Sequence, residues 1–167
     1  MKYWKLLIVL FLLIALNPAW SQDKQDQIKT VFVFNFTKYV QWPSPSNKIT
    51  IGVLGSNASI TAALKDMASK KSGEVDIVVE EFSNPALAGN YQIVYIPESN
   101  SGAIKSIDQA AIKETLLVTE KHGLTQQGSL INFVNQGGKL RFEINRQLMD
   151  KSSIKISSKL LGLAILV

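Results

Sequence analysis

Apolar and polar positions alternate with period two through the last fifth of the chain, where Ser129 to Ala164 reads SLINFVNQGGKLRFEINRQLMDKSSIKISSKLLGLA. Strand side chains point alternately to opposite faces, so Leu140, Phe142 and Ile144 share one face and Lys139, Arg141, Glu143 and Asn145 the other. The pattern predicts two strands about a Gln-Gly-Gly turn and a short apolar helix closing the chain. Taking Gln136-Gly137 as the loop pairs Asn135 with Gly138. Phe133 then faces Leu140, Ile131 faces Phe142 and Asn132 faces Arg141.

Upstream, helical spacing of Ile28, Val31, Phe32, Asn35, Phe36, Tyr39 and Val40 predicts a helix over Asp23 to Gln41, ended by Trp42-Pro43. Val33 and Phe34 make that helix apolar on a second side. They are candidates for a dimer or partner interface, with burial under the same domain as the alternative. Alternating, β-branched or continuously apolar runs predict strands at Lys48 to Leu54, Glu74 to Phe82, Tyr91 to Ile96 and Leu116 to Thr119. Helices are expected from about Ser59 to Lys70, from Ala103 to Glu114 with Ile104, Ile107 and Ala111 inward, and from Gln147 to Lys151. Ser157 is placed to cap a last helix burying Leu160, Leu161, Ala164 and Ile165. Strand–helix–strand passages followed by a hairpin predict a single α/β domain, with a mixed, mostly parallel sheet flanked by helices and a C-terminal antiparallel hairpin.

The amino terminus changes what counts as the domain. Lys2 and Lys5 precede an unbroken apolar run, Leu6 to Leu16, then Asn17-Pro18 and Ala19-Trp20-Ser21. Eleven helical residues span about 17 Å against about 30 Å of hydrocarbon, so a secretory leader over 1–21 is expected, with a domain over 22–167. The product is then expected in the periplasm or secreted. The chain carries a formal net charge of +5, two lysines of which belong to the leader, and no basic stripe with interleaved aromatics. Nucleic acid is therefore not an expected partner. With no cysteine, disulfides, thiolate zinc sites and iron–sulfur clusters are excluded.

Little in the sequence points to catalysis. His122 is the sole histidine, in a Lys-His-Gly turn, and no G-x-S-x-G run accompanies it. Glu80 and Glu81 are adjacent on a strand, so they point to opposite faces and cannot work as a pair. Gly52 and Gly55 lack a lysine or a dinucleotide fingerprint, which leaves an ordinary strand–helix turn rather than a phosphate site. No metal or cofactor is expected. The polar hairpin face, Asn132, Arg141, Glu143 and Asn145, is the candidate surface for a ligand or partner, although Arg141 and Glu143 could also simply pair with each other.

The ordered set VFVFNFTKYVQWP, ITIGVLG, YQIVYI, LLVT and INFV…GGKLRFEIN…IKISSKLLGLA resembles the YfiR family of envelope regulators. The resemblance implies a non-enzymatic periplasmic protein, a homodimer in most relatives. Such a protein binds the extracytoplasmic domain of a membrane signalling protein and restrains a diguanylate cyclase; an outer-membrane lipoprotein is a further partner. A small-molecule sensor module is the alternative that the resemblance also admits. Many relatives carry a cysteine near the start of the YQIVYI strand; here Gln92 occupies that region and disulfide-based control cannot operate.

Overall fold

A computed structural model describes residues 19–44, 46–70 and 75–167; the predicted leader up to residue 18 lies outside them. The parallel strands form where β-branched runs predict them: β2 (Lys48–Leu54), β3 (Asp76–Phe82), β4 (Ile93–Ile96) and β5 (Leu116–Thr119). With β6 (Ile131–Gln136), β7 (Lys139–Ile144) and β9 (Ile165–Leu166) they make a seven-stranded sheet in the order β3-β2-β4-β5-β6-β7-β9. Pairing is parallel from β3 through β6, antiparallel between β6 and β7, and parallel again between β7 and β9. A separate two-stranded ladder joins β1 (Val40–Gln41) to β8 (Lys155–Ile156).

Each face of the sheet has its own core, because strand side chains alternate. One face carries Ile51, Val53, Tyr95, Val118, Phe133, Phe142 and Ile144 and is covered by α1 (Ala19–Tyr39) and α2 (Ala58–Lys70). The rings of Phe32 and Phe36 on α1 meet those of Phe133 and Phe142 at centroid separations of 5.4 to 6.2 Å. These contacts fix α1 over the hairpin. The other face carries Leu54, Phe82, Val94, Ile96 and Leu117, under short 3-10 segments at Pro85–Asn90, Glu98–Ser106 and Leu124–Gln127.

Several expectations are corrected. Helix α1 stops at Tyr39, because Val40 and Gln41 leave it to pair with Ile156 and Lys155. Its buried surface is not the expected stripe: Ile28 and Val31 are 43% and 46% exposed, while Val33 and Phe34 are 0% and 1% exposed. Val33 lies in the main core and Phe34 is buried as well, as the alternative of burial within the same domain expects. Asn35 is half-buried rather than core.

The helix expected over Ala103 to Glu114 is a 3-10 segment kinked at Asn100, followed by a turn over 109–114. The Asp108 carboxylate accepts from the Ala110 amide at 2.9 Å, a local bond that competes with helix formation. Ile104, Ile107 and Ile112 are buried and Ala111 is exposed.

The hairpin turns through Gly137-Gly138, with φ of +59° and +75°, and pairs Gln136 with Lys139, Phe133 with Phe142, Asn132 with Glu143 and Ile131 with Ile144. A two-residue turn of this kind needs positive φ at both central residues, which two glycines supply and Gln136 would not. The displacement from the expected register is two residues, so every side chain keeps its predicted face. The final helix, α4 (Ser158–Leu161), is capped by Ser157 as expected but is only one turn long; Ile165 then enters the sheet edge.

Candidate functional site

The polar face of β7 lies on the side of the sheet opposite α1. Arg141 is exposed near the hairpin tip, and it has no ion pair among the described residues. Glu143 is half-buried and accepts from the Thr125 hydroxyl at 3.2 Å, so it is committed to the 3-10 turn rather than to Arg141. Asn145 does two structural jobs. Its Oδ1 accepts from the Leu148 amide at 2.9 Å, capping α3 (Arg146–Lys151), and its Nδ2 donates to the Thr125 carbonyl at 2.8 Å. Asn132 is 0% exposed. Its Oδ1 accepts from the Thr119 hydroxyl at 2.6 Å, and its Nδ2 meets no partner among the described residues.

The four predicted residues are therefore split by burial. Glu143 and Asn145 line an open cleft of about 390 Å³ with His122, Gly123, Thr125, Gln126, Gln147 and Val167. Asn132 lies beneath the surface and Arg141 outside the cleft. The cleft brings one carboxylate and one imidazole to the same wall. The contribution of His122 could not be read from its turn alone, since the approach of β7 is set by sheet pairing.

A second polar cluster escaped the sequence reading altogether. On α1, Lys29 bonds the Glu120 carboxylate, just beyond β5, and lies 3.5 Å from Asp26 one turn earlier. The other oxygen of Glu120 accepts from the Glu98 amide at 2.7 Å. Tyr95 is buried beside them. Its hydroxyl meets no acceptor at good hydrogen-bond geometry, yet burial first and the Glu120 charge second raise its pKa. The only available signal was Asp26 and Lys29 at i, i+3 on a helix with few other charges. That spacing ordinarily marks a solvated face.

The strand–helix turn after β2 holds no phosphate cradle. A Cβ on Gly52 would stand 2.8 Å from ring atoms of Phe82 and Tyr91, and Gly55, at φ +93°, lies against Asn100, whose Nδ2 donates to the Leu54 carbonyl at 2.9 Å. Both glycines thus serve close packing, and Asn100 fills the crevice where parallel sheets commonly take ligands. Among the described residues no three His, Asp or Glu side chains converge as a metal would require, and no helix is long and apolar enough to cross a membrane.

Fold and cleft together define a mixed α/β domain with a polar hollow beside its C-terminal hairpin. A family model described as YfiR/HmsC-like matches residues 26–165, and the chain belongs to that family. Among solved structures it is similar to a conserved domain protein from Vibrio cholerae O1 biovar eltor, with a TM-score of 0.57 and 14% identity. That match covers 84% of this chain and 59% of the other, so this chain spans about three fifths of that protein's length and the likeness speaks for the fold alone.

Proposed function

We propose that this protein is a periplasmic regulator, exported by a cleaved leader over residues 1–21, that binds the extracytoplasmic domain of a membrane signalling protein and restrains its cyclic di-GMP output. The observation that carries this reading is the YfiR/HmsC-like match over nearly the whole domain. Binding would act by population shift, restraining the partner to the extent that its inactive arrangement is bound more tightly. A homodimer and an outer-membrane lipoprotein as second partner belong to the same reading. If the homodimer uses α1, it uses Ile28 and Val31, the large apolar side chains exposed there among the described residues. The surface assigned to the partner is the exposed strip from Arg141 to the cleft wall at Glu143.

Co-purification from envelope extract tests it. The tagged protein should recover a membrane protein with a cyclase or kinase output domain. Arg141→Ala should reduce that recovery while leaving the thermal midpoint unchanged. Extracts that yield no membrane signalling protein overturn the reading.

A second reading, a small-molecule sensor, is favoured by the cleft of about 390 Å³ lined by Glu143, His122 and Gln147. A ligand held by the native state raises stability in proportion to the logarithm of its concentration over Kd. Thermal shift against a metabolite panel, repeated with Glu143→Gln, decides it.

A further inference from the structure

A different hollow opens at the amino-terminal ends of β5 and β6. Leu117 near the start of β5, Leu130 just before β6 and Ile112 from the turn over 109–114 are buried and form its floor, and the half-buried Leu148 of α3 forms a side. Its volume is about 340 Å³. That is within the range of pockets that take small molecules, which are mostly apolar with a few polar groups fixing orientation. Lys113, on the turn, and Lys151, in the last turn of α3, stand at its rim, and among the described residues no aspartate or glutamate lines it. Neither lysine is engaged in an ion pair among the described residues.

The walls are held by the backbone. The Ser153 amide donates to the Lys113 carbonyl at 2.9 Å, tying the turn to the end of α3. Opposite, Gln109 packs against Gly128, at φ +112°, where a Cβ would stand 2.5 Å from its amide nitrogen. The hollow is therefore preformed, with an apolar floor and two cationic groups at one rim.

We propose that this hollow binds a small amphiphile with an apolar tail and an anionic head, of the class of medium-chain carboxylates. The tail lies on Leu117, Leu130 and Ile112, and the carboxylate meets Lys113 and Lys151. The site shares no lining residue with the cleft beside β7, so its failure would leave the readings above untouched.

Calorimetric titration of the full chain with sodium hexanoate, octanoate and decanoate tests the proposal, with decylammonium as the opposite-charge control. Affinity should rise about fourfold per added methylene until the hollow is filled. Decylammonium should bind at least about tenfold more weakly than decanoate. Lys113→Glu with Lys151→Glu, both exposed positions, should lose at least about tenfold in decanoate affinity at an unchanged thermal midpoint. Ala110→Trp, at the exposed mouth, should block binding. Heats independent of chain length, equal binding of the two head groups, or decanoate affinity unaltered by the charge reversal would each overturn it.

Discussion

Lys29 and Glu120 form an ion pair between the first helix and the end of β5, with side chains only 8% and 6% exposed. Asp26 shares the same ammonium from 3.5 Å, and Glu120 also holds the Glu98 amide. One lysine thus faces two buried carboxylates, and one carboxylate ties α1 to the segment following β4. Desolvating these groups offsets much of their mutual attraction, so the network specifies where α1 docks more than it stabilises the fold.

Lys29→Met removes the cation that the buried Glu120 carboxylate holds and should cost about 3–5 kcal/mol. Glu120→Gln should cost clearly less, because Asp26 still faces Lys29 and the amide oxygen can still accept from Glu98. Urea denaturation at neutral pH measures both; equal losses would contradict the shared-lysine geometry.

Tyr95 supplies a pH dependence. Burial, then the charge of Glu120, then that of Asp26 raise its pKa above the ordinary 10.0. The stability held by its neutral hydroxyl is fully present below pH 10 and declines as pH rises beyond it, since the unfolded chain ionises there and the native protein does not. The slope from this group approaches about 1.4 kcal/mol per pH unit. Tyr95→Phe should flatten the alkaline limb of a stability–pH profile without changing its acid limb.

Asn145→Ala removes the cap of α3 and the tie to Thr125, and should cost about 1–2 kcal/mol. Asn145→Asp keeps the cap and loses the donor, so its loss should be smaller. If both variants bind the envelope partner normally once folded, Asn145 is a structural residue and the recognition surface reduces to Arg141 and Glu143.

Gly52→Ala forces a methyl group into the Phe82–Tyr91 stack, whose centroids are 4.5 Å apart. Overpacking of this kind should destabilise by about 1–3 kcal/mol. A shift in near-ultraviolet circular dichroism from the displaced Tyr91 ring should accompany the lowered midpoint.

The elements that were legible in the sequence are those whose pattern is local. Lys48–Leu54 and Leu116–Thr119 appear with the predicted bounds, and Ser157 caps the predicted helix, because β-branched alternation and a capping hydroxyl act through neighbours along the chain. The stretch from Ala103 to Glu114 looked helical only because its apolar spacing can suit a helix; what decided it was the need of Ile104, Ile107 and Ile112 to reach one sheet face, and the turn-forming carboxylate of Asp108. For the candidate site, period-two alternation placed Arg141, Glu143 and Asn145 correctly on one face. It carried no information on which of them a neighbouring segment would engage, and Thr125 engages two.

By itself, then, the sequence determined the α/β class, the longer strands, the faces of the hairpin and the absence of thiol chemistry, all consequences of local periodicity and composition. Only the tertiary structure decided that Val33 is core while Ile28 and Val31 are exposed, that Lys29 meets Glu120, and that Leu117, Leu130 and Ile112 floor a hollow with two lysines at its rim. The physical reason is common to all three. Burial and charge pairing depend on which distant segments a fold brings together, and a helix with two apolar sides or a lysine on a wet-looking face is equally compatible with either outcome until the sheet beneath it is formed.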